Sequence, residues 1–172
     1  RSSDLDDDEA TYRAICAFAA SVDKPVWATE DGACAKTEAG CSIGSRLAPS
    51  TWETAWDTAT STYRAIEWAR ASRVYHWELV GNNGAIAKGG ARTPTYEVYA
   101  QLAAAVRPGA VVVAVDAPSD VRAIAFDSTS SIEVALIATR DTTLNIDVPG
   151  CAADHATLST RSQQRATIGV DK

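Results

Sequence analysis

The feature that most constrains the fold of this chain is a short apolar run, residues 25–29, that ends abruptly in Glu30, Asp31 and Gly32. A run of this length between polar segments is typical of a β-strand in a parallel sheet. Such strands are buried on both faces, and catalytic side chains collect at their carboxyl ends, where the chain leaves the core. We therefore expect a strand that carries Glu30 at its tip as a catalytic carboxylate.

The residues before this strand predict a helix, and those after it predict a loop. Acids at residues 4–9 precede an apolar stripe of helical period, and the helix dipole favours negative charge at that end. Lys24 and Pro25 end the helix. A loop rich in Gly, Ala and Cys is expected from Gly32 to about residue 48. The stripe on one face of the helix consists of Tyr12, Ile15, Cys16, Ala19 and Val22.

Two further helices and a second strand follow. The next helix is expected to begin with a capping box formed by Ser50 and Glu53, to bury an aromatic stripe, and to end near Ser72. Residues 74–80 then form the second strand. The last helix begins with Thr93 as its N-cap, directly before a proline at the first helical position. The predicted order is helix, strand, helix, strand, helix, which is an α/β arrangement.

After Gly109 the hydrophobic period changes to two. Short alternating runs separated by turn residues are typical of antiparallel strands with one face in water. We therefore divide the chain into an α/β part, residues 1–109, and an all-β part, residues 110–172. The expected strands are residues 111–115, 121–126, 132–139 and 143–148, with two weaker strands at 156–160 and 166–170.

Charge and hydropathy argue against two classes of partner. The net charge is -6 and the pI is near 4.9, without a cluster of Lys and Arg, so we expect no nucleic-acid partner. No stretch approaches the ~20 apolar residues of a membrane span, and no signal-peptide pattern opens the chain. Because the chain begins at Arg1 and contains no Met, we expect a mature product or a piece of a longer protein.

The four cysteines favour an oxidising compartment. Cys34 and Cys41 lie in the Gly-rich loop, where a short disulfide would rigidify the chain at little cost, and this favours a secreted, extracellular protein. Free thiols stay open as the alternative, as does the state of Cys16 and Cys151. A zinc site needs four ligands at characteristic spacings, which the cysteines and the two histidines do not supply, so we expect no metal.

Three segments together resemble one family of enzymes. The phrase "KPVWATEDG", the strand "YHWELV" and the run "TPTYEVYAQLAAAVRPGAVVVAV" are similar to the C-terminal part of a clan A glycoside hydrolase, most closely family thirty. The resemblance covers about residues 7–148. It implies the last strands and helices of a (β/α)8 TIM barrel, residues 1–109, followed by an antiparallel β-sandwich, residues 110–172.

The resemblance also implies a site and a mechanism. Glu30 would be the nucleophile of a retaining hydrolase that cleaves β-glycosidic bonds in an oligosaccharide, polysaccharide or other glycoside. Trp77 would be an aromatic platform under the sugar, with Tyr75 on the same strand face and Asp31 beside the nucleophile. The mechanism requires no cofactor.

One departure from the family is important. The second carboxylate of the mechanism comes, in the family, from an Asn-Glu pair at the end of the fourth barrel strand, and this chain contains no Asn-Glu dipeptide. A barrel of this type also needs eight strands. We therefore expect the acid/base residue to lie in an upstream part of the same barrel, and the chain alone to be inactive.

Other interpretations remain open. A Glu at a strand end is ordinarily solvated, Trp77 could belong to the core, and Asp31 could be a loop carboxylate; His76 and Glu78 alternate to the other face and are expected to be structural. Residues 40–44 match the G-x-S-x-G pattern of serine hydrolases, but no strand and helix are expected around them. The alternative from a different functional class is a non-catalytic carbohydrate-binding or structural β-sandwich module. The absence of Trp or Tyr after Tyr99 argues against sugar binding by that module.

Overall fold

The computed structural model describes residues 9–31, 36–37, 40–41, 51–76, 79–80, 89–128, 131–147, 154–158 and 163–169. The chain divides into two units, Arg1–Tyr96 and Glu97–Lys172. The domain boundary that the sequence predicts near Gly109 stays a prediction.

The first unit alternates helices and strands as predicted. Its central motif is a strand, a helix and a second strand that pairs parallel with the first, and the helix packs against both strands. The predicted α/β arrangement is therefore confirmed. In the segment predicted as a loop, two short strands of two residues each, β2 and β3, pair antiparallel. In chain order its elements are α1 (Glu9–Ser21), β1 (Val26–Asp31), β2 (Lys36–Thr37), β3 (Gly40–Cys41), α2 (Trp52–Glu67) and β4 (Ala71–His76). The next helix, α3 (Pro94–Ala105), begins in the first unit and has most of its residues in the second.

The ends of α2 differ from the prediction. Its N-cap is Thr51, whose hydroxyl accepts a hydrogen bond from the backbone N–H of Thr54 at 3.2 Å, so the capping box predicted at Ser50 and Glu53 is wrong. The helix also ends five residues before Ser72. Arg70 adopts a φ of 55°, in the left-handed region, and such a residue ends helical geometry. Ser72 lies in β4 instead, and its hydroxyl donates to the carbonyl of Val26 at 3.2 Å.

Removing the cap of α2 tests this assignment. Thr51→Ala leaves a backbone N–H of the first turn without its acceptor, and we expect it to lower the free energy of unfolding by about 1 kcal/mol. Urea denaturation measures the change. Ser61→Ala, in the middle of the same helix, is the matched control and should change stability by less than about 0.5 kcal/mol. A loss no larger in Thr51→Ala than in Ser61→Ala would contradict the cap.

The start of α3 agrees with the sequence prediction. The hydroxyl of Thr93 accepts a hydrogen bond from the backbone N–H of Tyr96 at 3.3 Å, and Pro94 occupies the first helical position. Proline costs nothing there because the first amide of a helix has no intrahelical acceptor.

The predicted helix α1 is confirmed, but its apolar stripe is only partly covered. Tyr12 makes an edge-to-face contact with Trp68, with ring centroids 5.9 Å apart. Cys16 is half-buried, whereas Ile15 and Val22 on the same stripe are exposed. No residue of α1 is fully buried. Few side chains of α1 therefore pack against the other described elements.

The second unit is antiparallel, as the change of period predicts. A four-stranded sheet has the order β10–β7–β6–β5, and β8 pairs with β9 in a separate ladder. The two strands expected with less support, β9 and β10, are present. The strands are β5 (Val111–Val113), β6 (Val121–Asp127), β7 (Ser131–Ala138), β8 (Thr142–Ile146), β9 (Asp154–Leu158) and β10 (Gln163–Gly169).

One expectation about this sheet is wrong. Strands with one wet face were predicted throughout, and β8 does alternate in this way, but β7 is buried on both faces from Ile132 to Ala138. Leu144 and Ile146 of β8 pack against one of these faces, which carries Ile132, Val134, Leu136 and Ala138. Ile124 and Ile137 are among the fully buried side chains.

An ion pair closes the open end of the β6–β7 hairpin. The Nε of Arg140 donates to the carboxylate of Asp120, and the backbone N–H of Thr139 donates to the carbonyl of Asp120 at 3.0 Å. The hydrogen bond from Arg140 lowers the pKa of Asp120. The ionised carboxylate is therefore favoured in the folded chain.

The effect of this pair should depend on pH. Because the pKa of Asp120 is depressed on folding, its stabilisation is fully present above the ordinary Asp pKa of about 3.9 and is lost as the pH falls through the lower, folded pKa. We expect Arg140→Gln to lower the thermal midpoint at neutral pH and to have a smaller effect in acid. Arg107→Gln is the exposed control. A loss from Arg140→Gln that is equal at all pH values would contradict the pair.

Candidate active site

Glu30 is the second-last residue of β1 and lies at the carboxyl edge of the parallel strand pair. The strand predicted from residues 25–29 is thus present and continues through Glu30 and Asp31. The carboxyl ends of β1 and β4 are at the same edge, because the two strands are parallel. This is the edge at which enzymes built on parallel sheets place catalytic side chains.

The ladder between β1 and β4 is irregular at Glu30. Ala28 pairs with Val74 and Asp31 pairs with His76, so three residue steps on β1 lie opposite two steps on β4. The extra residue belongs to the segment that contains Thr29 and Glu30. Bulges of this kind bend a strand and change the direction of a side chain, and they are frequent beside active sites.

Three exposed side chains form a cluster on one face of this sheet. The guanidinium of Arg73 lies over the ring of Trp27, with 4.6 Å from Cζ to the ring centroid. An Nη of Arg73 donates to the hydroxyl of Tyr75 at 3.5 Å. Half of the Trp27 side chain and nearly half of Tyr75 are exposed, at 50% and 47%. The predicted substrate-binding residue Tyr75 is therefore accessible from this face.

The exposure of Trp27 corrects one sequence expectation. A strand of this kind was expected to be buried on both faces, but Val26 and Ala28 are half-buried and the side chains between and after them, Trp27 and Thr29, are exposed. The described helix α2 packs against β1 and β4, which accounts for one half-buried face.

Two residues of this cluster were not predicted as part of a site. Trp27 lies within the apolar run, where an aromatic residue fits a core strand equally well, and Arg73 precedes the predicted second strand. The available signal was the period of two, which puts Arg73 on the same face as Tyr75.

Other predicted site residues are only partly described. Trp77 and Cys34 lie outside the described residues, and for Glu30, Asp31 and Cys41 the structure describes the strand but not the side chain. The disulfide between Cys34 and Cys41 therefore stays a prediction. The interpretation of His76 as structural is consistent with its half-buried position on the face of Val74.

Two further features bear on function. Within the described residues, no group of three or more His, Cys, Asp or Glu side chains is arranged to hold a metal ion. Of the described helices, none is long and apolar enough to cross a membrane. For the G-x-S-x-G match, the structure places Gly40 and Cys41 in β3, and the remaining three positions lie outside the described residues.

The fold is similar to those of several solved structures, among them a xylanase and a glucanase. The match to a glycoside hydrolase family 30 subfamily 8 xylanase from Clostridium acetobutylicum covers 90% of this chain and 45% of the xylanase chain, with a TM-score of 0.72 and 12% identity. The match to an endo-β1,6-glucanase covers 93% of this chain and 39% of the glucanase chain, with a TM-score of 0.57 and 17% identity. The match to a conserved exported protein from Bacteroides fragilis covers 92% of this chain and 42% of that protein's chain, with a TM-score of 0.64 and 16% identity. No family model and no curated protein sequence matches the chain.

The chain therefore has the fold of part of a glycoside hydrolase, which confirms the resemblance seen in the sequence. It spans less than half the length of these solved structures. At 12% to 17% identity the likeness concerns the fold, and the chemistry depends on the residues at the carboxyl edge of β1 and β4.

Proposed function

We propose that the chain is part of a retaining glycoside hydrolase that cleaves β-glycosidic bonds, and that Glu30 is its nucleophile. The observation that carries the proposal is the position of Glu30, at the carboxyl edge of a parallel strand pair and in a register irregularity. The fold likeness to a xylanase and a glucanase supports the reaction class.

In this mechanism Glu30 attacks the anomeric carbon and forms a glycosyl ester, while a carboxylic acid protonates the leaving oxygen. The same acid then acts as base and activates the water that releases the sugar. The two carboxyl groups of a retaining enzyme lie about 5–5.5 Å apart. We place the second group outside this chain, in the upstream strands of a (β/α)8 barrel to which β1 and β4 would belong, so that the chain alone would be inactive.

The substrate would be a polysaccharide or another glycoside. Tyr75 is exposed on the sheet face that also carries Trp27, and it can contribute a hydroxyl and an aromatic face. Trp77, next along the chain after β4, would supply the platform for sugar stacking, and Asp31 would lie beside the nucleophile. We further propose a secreted protein, in line with the exported protein among the similar structures.

The alternative, a carbohydrate-binding module in the β part, has less support. Phe126 is the only aromatic residue after Tyr99, and its side chain is 3% exposed, so it offers no stacking surface. We propose that strands β5 to β10 form a β-sandwich that supports the barrel.

The stereochemistry of the product tests the proposed mechanism. A longer protein that contains this chain would be incubated with xylan and with β1,6-glucan, and the anomeric proton of the first product would be followed by NMR. Retention predicts that the β-anomer appears first and then mutarotates. An α-anomer as the first product would show inversion, which excludes a nucleophilic role for Glu30.

A further inference from the structure

The sheet of β1 and β4 is covered on one face only by the described residues of the first unit. Helix α2 packs against both strands, and on one face Val26 and Val74 are half-buried. The other face carries Trp27 and Tyr75, which are 50% and 47% exposed, and the exposed Arg73. Purely parallel sheets occur almost only with both faces covered. The face of Trp27, Arg73 and Tyr75 is therefore a surface for a partner.

Arg73 gives this surface a positive charge. Its guanidinium lies over the ring of Trp27 and donates to the hydroxyl of Tyr75, and both of these contacts are to neutral groups. Among the described residues, no carboxylate forms an ion pair with Arg73. Water solvates the guanidinium while the face is open, and a partner that covered the face would remove that water. Such a partner must therefore supply a counter-charge.

The chain itself carries two acids on the neighbouring strand, Glu30 and Asp31. In the parallel ladder Arg73 pairs with Trp27, which precedes Glu30 by three residues. Three steps of a strand correspond to about 10 Å, and Asp31 lies one residue further on. Glu30 is therefore the principal competitor within the chain for the guanidinium of Arg73.

The remainder of the same protein is the occupant that the observations favour. The solved structures with a similar fold are more than twice as long as the part matched, which is 39% to 45% of their chains. Among the described strands, β1 pairs with β4 alone, so its other edge is open to a further strand. Helix α1 precedes β1 and packs against it, as does a crossover helix that follows a parallel strand. A strand upstream of α1 would therefore lie beside β1.

We propose that upstream strands of the barrel cover the face of Trp27, Arg73 and Tyr75 and supply a carboxylate that pairs with the guanidinium of Arg73. This inference rests on the barrel of the proposed function and is independent of the role of Glu30. An enclosed guanidinium is costly when its contacts are only an aromatic ring and one hydroxyl, because these offset part of the lost hydration. Arginine suits the pair because its planar group binds a carboxylate through two hydrogen bonds.

Thermal unfolding of a longer protein that contains this chain tests the pair. We expect Arg73→Gln to lower the thermal midpoint by at least about 5 °C, because it leaves an enclosed carboxylate without its counter-charge. Arg92→Gln is the matched control. Arg92 is exposed and also stacks on an aromatic ring, with 4.8 Å from Cζ to the ring centroid of Tyr96, so its loss should be about 2 °C or less. Equal losses from the two variants overturn the proposal.

The same substitution in two further backgrounds excludes the acids of β1. If Glu30 or Asp31 were the partner, Arg73→Gln would cost little in a Glu30→Gln or an Asp31→Asn protein, since the pair would already be broken. We expect the full loss of thermal midpoint in both backgrounds. A loss that disappears in either background overturns the proposal.

A crystal structure of the longer protein separates this inference from the proposed function. We expect a carboxylate of a residue upstream of Arg1 within about 4 Å of the Arg73 guanidinium, with Trp27 covered. A covered face without that carboxylate overturns the pair and leaves the barrel intact. A face that is open to solvent overturns the pair and the proposed barrel together, whereas the role of Glu30 depends on the kinetics of Glu30→Gln.

Discussion

Replacing Glu30 with Gln should lower kcat by at least about 10³-fold in a longer protein that contains this chain. The amide is close in shape to the carboxylate, but it cannot attack the anomeric carbon to form the glycosyl ester. Because the proposed binding groups, Tyr75 among them, are unchanged, KM should change little. Release of reducing sugar from xylan and from β1,6-glucan measures both constants.

A second acid in the same unit supplies the control for this experiment. Glu67 is the last residue of α2, which runs back from the carboxyl edge of β1 to the start of β4, so Glu67→Gln removes one negative charge at the opposite end of the strands from Glu30. We expect its kcat to equal that of the parent protein. A Glu30→Gln variant that retains kcat within about 10-fold of the parent would contradict the nucleophile, since loss of a covalent catalyst costs far more.

Replacing Ile137 with Ala should lower the free energy of unfolding by about 2–5 kcal/mol. Ile137 has no exposed surface and lies in β7, between β6 and β10. Its truncation removes buried apolar area and leaves a cavity, because close-packed neighbours relax only in part. Urea denaturation, analysed with a constant m-value, measures the loss.

An exposed valine of the same sheet is the matched control. Val111 lies in β5 and has 64% of its side chain exposed, so Val111→Ala should change stability by about 0.5 kcal/mol or less. Equal losses from Ile137→Ala and Val111→Ala would mean that β7 is not the buried centre of the sheet.

Local signals in the sequence account for most of the elements. Thr93 before Pro94 correctly marks the start of α3, because an N-cap hydroxyl and a proline at the first helical position act within one turn. The change to a period of two after Gly109 correctly indicates the antiparallel strands, because alternation follows from strand geometry itself. The N-cap of α2 was placed one residue too early, since Ser50 and Thr51 both carry a suitable hydroxyl.

Features that depend on contacts between distant residues could not be predicted in this way. The bulge at Glu30 is defined by the register of Asp31 with His76, which are far apart in the sequence. The stacking of Arg73 on Trp27 likewise depends on the pairing of β1 with β4. The burial of β7 depends on contacts with other elements, such as the packing of Leu144 and Ile146 of β8 against its Ile132 face, which the sequence pattern of a single strand does not encode.

The most direct test of the central claim is to trap the covalent intermediate. A longer protein that contains this chain would be inactivated with a 2-fluoro glycoside that carries a good leaving group, digested, and analysed by mass spectrometry. The account predicts one glycosyl adduct, on the carboxylate of Glu30, in the peptide that contains residues 25–31. An adduct on another carboxylate, with Glu30 unmodified, would contradict it.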